Sequence, residues 1–91
     1  MKKSILLRAD ETIHGERVKT YGPATDTFQR AAYIMTQLTR KPFTPEDIAK
    51  VQIIMKLIRN EHSPTNEDHV LDLCGYAGIL SDLQQKENCL E

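Results

Sequence analysis

Tryptophan is absent from this chain of 91 residues, and three tyrosines and two phenylalanines make up its aromatic set. So few rings leave little surface on which nucleic-acid bases could stack. Neither sign of charge dominates: twelve Lys and Arg stand against thirteen Asp and Glu, a net charge of −1. A duplex binder concentrates a strong positive field, and the scattered basic residues form no phosphate track, so duplex nucleic acid is not expected as a partner. No apolar stretch approaches the length of a membrane-crossing helix. After Met1-Lys2-Lys3-Ser4, the run Ile5-Leu6-Leu7 stops at Arg8 and Asp10, too soon for the core of a secretion signal. No membrane association is therefore expected, and the cytoplasm is the expected location. Cys74 and Cys89 match no metal motif and are expected as free thiols in a reducing compartment. Gly-x-Ser-x-Gly, Walker A and Gly-x-Gly-x-x-Gly sequences are all missing, which removes the familiar hydrolase and nucleotide-loop signatures.

What is present is a chain 40% apolar, rich in Ile, Leu, Val and Met, which is the composition of a globular domain. Its length suits a single helical domain over 1–91, with an ordered core of about 4–84 and a C-terminal tail, 85–91, expected to fray. Chains this short bury a modest fraction of their surface, and a homo-oligomer is expected to supply the missing core. Residues 1–40 carry seven basic against four acidic residues, and residues 41–91 five against nine. This asymmetry is suited to pairing the two halves of the chain, or one subunit with another.

The apolar spacing predicts an all-α bundle of about four helices. Ile5, Leu6, Ala9 and Ile13 define the first, ended at Gly15 by a residue suited to a left-handed cap. Residues 16–22 show no sustained period and read as a connecting loop carrying Arg17 and Tyr21, closed by the breaker Gly22-Pro23. Ala24, Phe28, Ala31, Met35 and Leu38 alternate by four and three along a second helix. Thr44-Pro45-Glu46-Asp47 then marks a helix start, with an N-cap threonine, proline at the first helical position and acids where the amide dipoles point. The third helix is apolar around most of its circumference and is expected to be the central, most buried one. Ser63-Pro64 and Thr65-Asn66 offer alternative caps for the fourth, which continues through Leu83.

A narrow polar strip, Gln52, Lys56 and Arg59, runs along the third predicted helix, and Asp68, Asp72 and Tyr76 lie along the fourth. If the two pack as an antiparallel hairpin, the position numbers match across it: Lys56 faces Asp72, Arg59 faces Asp68 and Gln52 approaches Tyr76. Charges on so apolar a helix must reach water, a carboxylate or an anion. The set can be a structural ion-pair ladder. It can also be a site in which Asp68 and Asp72, one turn apart, hold Mg2+ while Lys56 and Arg59 meet phosphate. Arg17 and Tyr21 could extend over such a site, or Tyr21 could staple the loop to the bundle. His62 and His69 form no recognised metal set with the aspartates and read as solvent-facing or capping residues. Gly75 and Gly78, each costing up to about 1 kcal/mol inside a helix, are best explained by close approach of another helix over the small residues Cys74, Ala77 and Ser81.

The ordered elements Gly15-Glu16-Arg17, Tyr21-Gly22, Phe28-x-Arg30, Thr44-Pro45-Glu46-Asp47, Lys56-x-x-Arg59 and Asp68-x-x-x-Asp72-x-x-Gly75-Tyr76 resemble a small phage and prophage domain family of unknown function. The resemblance covers roughly Ile5 to Leu83. It implies viral or prophage origin and action in the cytoplasm of a bacterial host, and brings no established activity. A more distant likeness of layout is to MazG-like all-α nucleoside triphosphate pyrophosphatases, which bind Mg2+ through acids on paired helices. Their Glu-Glu-x-x-Glu segment is represented here by Glu46-Asp47-Ile48-Ala49-Lys50, with lysine where the third acid would stand. Two functions are thus expected. One is binding of a nucleotide or other phosphate ligand through Lys56, Arg59, Tyr76, Arg17 and Tyr21, with Asp68 and Asp72 as metal ligands, Mg2+ as cofactor and pyrophosphatase-like hydrolysis as its extension. The alternative is a non-enzymatic protein that binds and modulates a host enzyme or defence factor.

Overall fold

The computed structural model describes residues 3–89, with side chains through Gln85. Its elements are α1 (Ile5–His14), α2 (Glu16–Tyr21), α3 (Ala24–Thr39), α4 (Pro45–His62) and α5 (Glu67–Cys89), and no strand occurs among the described residues. The all-helical architecture is the one expected from the apolar spacing.

Local chemistry sets each boundary. Ser4 caps α1 by accepting from the Leu7 amide at 3.2 Å. Gly15 ends α1 where expected but is not left-handed: its φ of −105° and ψ of −118° turn the chain sharply and let a new helix begin at once. Residues 16–22 are therefore not a plain loop, since α2 occupies most of them. Six residues are too few for periodicity to show in sequence. Glu16 in the first turn and Lys19 in the last suit the two ends of the helix dipole. Gly22, at φ 78°, stops α2 and donates its amide to the Val18 carbonyl. Arg40, at φ 59°, is a left-handed cap for α3. Thr36 then ties down the return loop, its hydroxyl oxygen accepting from the Phe43 amide at 3.0 Å.

The predicted start of α4 is realised as a full capping box. The Asp47 amide donates to the Thr44 hydroxyl at 3.1 Å, and the Thr44 amide donates to the Asp47 carboxylate at 3.0 Å. Aspartate thus closes a box that more often uses the longer glutamate. Of the alternative caps for the last helix, Asn66 is used, accepting from the Asp68 amide at 3.0 Å. The helix continues beyond Leu83 to Cys89. Residues 90 and 91, the end of the tail expected to fray, lie outside the described residues.

The four-residue turn between α4 and α5 makes them an antiparallel hairpin and the most extensively packed pair. α1 also lies on α5, and α3 lies mainly on α4. The central helix is accordingly α5, not α4 as its composition suggested. The core is thin: Ala49, Ile79 and Leu83 form its buried centre, with Ile13, Ala24, Phe28, Tyr76 and Leu80 packed around them. Gly75 and Gly78 do admit a neighbouring helix, because Ile13 of α1 sits over both. The radius of gyration is 14.2 Å, against about 12 Å for a compact domain of this length.

Ion pairs join the basic and acidic halves. Arg8 of α1 reaches Glu67 at the start of α5 at 2.8 Å, and His14 bridges Asp10 at 2.8 Å and Asp82 at 2.6 Å. The two carboxylates raise the His14 pKa, the Asp82 hydrogen bond being the larger cause and the Asp10 bond the next. Asp47 moves the opposite way, because the Thr44 backbone and hydroxyl stabilise its charged form.

Candidate functional site

A cavity of about 350 Å3 opens where α1, α2, α3 and α5 converge. Each wall follows from a boundary already described. The turn at Gly15 throws α2 across the mouth of the bundle, placing Arg17 and Tyr21 on its lining. Phe28 enters from the first turns of α3, and Asp72, Gly75 and Tyr76 line it from α5. Gly75 leaves room that a side chain would fill, with Ile13 packed 3.3 Å from where its Cβ would stand.

The aromatic residues form two ends of this space. Phe28 and Tyr76 are tilted neighbours with ring centroids 6.2 Å apart and planes inclined by 30°, within the range of favourable aromatic pairs. At the mouth the Arg17 guanidinium lies 5.6 Å from the centre of the Tyr21 ring, within the range of a cation–π contact. Tyr21 is 72% exposed, so it does not staple α2 to the bundle. Its ring is available to a ligand.

Of the expected cross-hairpin ladder, the middle rung forms. Lys56 Nζ lies 2.9 Å from Asp72 Oδ2, with the lysine side chain 12% exposed and the aspartate 46%. Asp72 lines the cavity and Lys56 does not. Arg59 and Asp68 are both exposed, form no ion pair with one another among the described residues and do not line the cavity. Asp68 lies in the first turn of α5, where a negative charge favours the exposed amides. The Arg59 and Asp68 side chains both stand near the Ser63–Asn66 turn, exposed to water that solvates each charge singly, where an ion pair would gain little.

No group of three or more His, Cys, Asp or Glu residues able to hold a metal occurs among the described residues. Glu46 and Asp47 lie in the first turn of α4, where Asp47 is committed to the capping box. His69 is partly buried, and its Nδ1 is buried without a hydrogen-bond partner among the described atoms. His62 is exposed in the last turn of α4. Cys74 is a free thiol, and the Cys89 side chain lies outside the described region.

The structure thus brings Arg17, Tyr21, Asp72 and Tyr76 to one cavity, adds Lys56 through its ion pair and leaves Arg59 and Asp68 outside. Phe28 and Ile13 are lining residues that sequence reasoning assigned to helix packing alone. The only signal for Phe28 was its place in Phe28-x-Arg30, among the spaced elements of the family resemblance. In an α-helical stripe a ring that lines a cavity and one that fills a core have the same spacing.

The architecture and spacing together are those of a phage-type helical domain, and residues 4–84 match the model of a family described as a domain of unknown function, DUF6378. The chain belongs to that family. It is similar to the "Gene 55 protein" of Mycobacterium phage L5, 38% identical over 86 residues that cover 93% of this chain and 55% of the phage protein. A second relative, the "Gene 55 protein" of Mycobacterium phage D29, is 33% identical over 86 residues, covering 94% of this chain and 57% of that protein. The chain therefore spans little more than half the length of these relatives. No solved structure matches it. No helix among the described residues is long and apolar enough to cross a membrane.

Proposed function

We propose that the cavity binds a small aromatic ligand bearing an anionic group, with a mononucleotide as the best chemical match. The observation that carries this reading is the gathering of Arg17, Tyr21, Tyr76 and Asp72 on one concave surface from two distant parts of the chain. Asp72 and Lys56 neutralise each other, and Arg17 meets no carboxylate among the described residues, so the site has a net positive charge at its mouth. An anion is drawn to that end and a ring to the other. Tyr76 and Phe28 offer the aromatic wall, Tyr21 a second face at the entrance, and the half-exposed Asp72 an acceptor for a sugar hydroxyl or a base amino group.

At about 350 Å3 the space is at the small end of ligand pockets, which run from about 300 to 1,000 Å3. This favours one nucleoside unit over a dinucleotide. Mg2+ bound by Asp68 and Asp72, with pyrophosphate hydrolysis, is an extension of the same reading; it would require the two carboxylates to share an ion while Lys56 holds one of them.

Calorimetry with nucleoside mono-, di- and triphosphates, each with and without Mg2+, tests the proposal. Saturable binding of at least one member is expected, weakened about 10- to 100-fold by Arg17→Ala, the cost of losing one charged hydrogen bond, and also weakened by Tyr76→Ala. Heat that appears only with Mg2+ would support the metal extension. Absence of heat with every nucleotide would overturn the reading and favour the alternative, a helical protein that modulates a host enzyme or defence factor.

A further inference from the structure

α4 is turned inside out for a monomer. Its polar positions Gln52, Lys56 and Asn60 are partly buried on the side that carries Ala49, which is fully buried. The opposite side carries Val51, Ile54, Met55 and Ile58, spaced i, i+3, i+4, i+7, all exposed, with Ile58 at 57%. That spacing is the apolar stripe by which a helix seats itself on a partner. Nothing in the described chain covers it. On α3 the last two turns, at the same end of their hairpin, expose Ile34 and Leu38 as well, the latter at 76%.

We infer that this stripe is the interface of a two-fold dimer in which α4 packs antiparallel against α4 of a second copy. The area fits that occupant. The outward apolar side chains of α4 alone expose on the order of 500 Å2, at the upper end of the largest patch usual for a monomer, and recruitment of Ile34 and Leu38 from α3 would bring the buried area to about 700 Å2, near the roughly 800 Å2 per partner of a standard interface. The thin core and extended shape of the single chain agree with a fold completed by association.

Charge selects both the partner and the direction. The stripe is flanked along its own line by Asp47 at the N-terminal end and His62 at the C-terminal end. It is symmetric about the point between Ile54 and Met55. A two-fold axis through that point sets Val51 against Ile58, Ile54 against Met55 and Asp47 against His62. It also brings Lys50 of one copy beside Glu61 of the other, because these exposed residues share a flank and lie within about 3 Å of mirrored heights, a gap their long side chains span. A parallel arrangement would set Asp47 against Asp47 and His62 against His62. Self-complementarity of this kind is the requirement of an isologous contact, and it is independent of whether the cavity binds a nucleotide.

Sedimentation equilibrium across micromolar concentrations is the test. The expected mass is twice the chain mass of 10.4 kDa. Ile54→Glu should weaken association at least about 100-fold, since it brings a carboxylate against apolar side chains at the symmetry axis, while far-UV circular dichroism stays unchanged because Ile54 is exposed in the single chain. Lys50→Glu should weaken the dimer about two- to five-fold, as expected for a rim ion pair, and Lys50→Glu with Glu61→Lys should restore it. A monomer at the highest concentration would overturn the inference and leave the face to a different protein. A dimer indifferent to Ile54→Glu would equally overturn it, and failure of the double charge reversal to restore association would overturn the antiparallel register.

Discussion

Removing either member of the Lys56–Asp72 pair should have unequal effects, because the two side chains are unequally buried. Asp72→Ala leaves without its carboxylate the ammonium group of a side chain that is only 12% exposed. Lys56→Met keeps the aliphatic stem against its neighbours and leaves a carboxylate that is 46% exposed and can hydrate. Breaking a fully buried pair costs about 3–5 kcal/mol and an exposed pair under about 1 kcal/mol. For this mixed case about 2 kcal/mol is expected for Asp72→Ala and about 0.5 kcal/mol for Lys56→Met. In a domain of this size each kcal/mol moves the melting temperature by about 4–8 °C, so the losses should be about 8–16 °C and about 2–4 °C. Thermal unfolding followed by circular dichroism measures both, at one protein concentration, because the midpoint of an associating chain depends on it. Adding Lys56→Met to Asp72→Ala should recover most of the loss by removing the stranded charge. If Lys56→Met proved as costly as Asp72→Ala, or gave no recovery in the double variant, burial of the lysine side chain would not control this site.

Two further outcomes follow from features elsewhere in the fold. The raised pKa of His14 means that folding takes up protons, so this stabilisation is complete below the ordinary value of 6.5 and is lost as pH rises through the folded-state value. The melting temperature should fall over that window and His14→Asn should flatten the profile; a profile that His14→Asn leaves unchanged would count against it. Gly15→Ala would bring a Cβ to 2.4 Å from the Glu11 carbonyl oxygen, forcing the backbone to shift. Stability should drop by about 1–3 kcal/mol, and nucleotide affinity with it because α2 carries Arg17 and Tyr21; an unchanged melting temperature would refute the tight turn.

The helices could be read from the chain because their signals are local. Thr44 through Asp47 specify a helix start within four residues, and the stripe from Ala24 to Leu38 specifies a helix by spacing. The rung between Lys56 and Asp72 was legible for a related reason: a short turn fixes the register of an antiparallel pair, and register fixes which side chains meet. Two features were not legible. α2 is shorter than two helical turns, so no period can announce it, and its position depends on how one glycine redirects the chain. The direction in which α4 faces was also hidden. A helix apolar on nearly all sides gives no local sign of which apolar side is covered by its own chain, and the polar strip from Gln52 to Lys56 lies inward only because Asp72 waits on α5 to receive it. The cavity combines both difficulties, since it exists only after the turn at Gly15 has set α2 across the space between α1, α3 and α5.

Ile13 rests over two glycines of α5, its Cγ2 at 3.3 Å from where a Cβ of Gly75 would stand and its Cδ1 at 2.8 Å from that of Gly78. The three positions are therefore coupled through the Ile13 side chain. An alanine at position 78 would require the isoleucine to swing aside or to become shorter, and a shorter residue at position 13 would change the floor of the cavity that Gly75 and Tyr76 help to form. In the lineage of this domain, substitutions at 13, 75 and 78 should be inherited together, and a homologue with a bulkier residue on α5 should carry a smaller one on α1 together with a differently shaped ligand space.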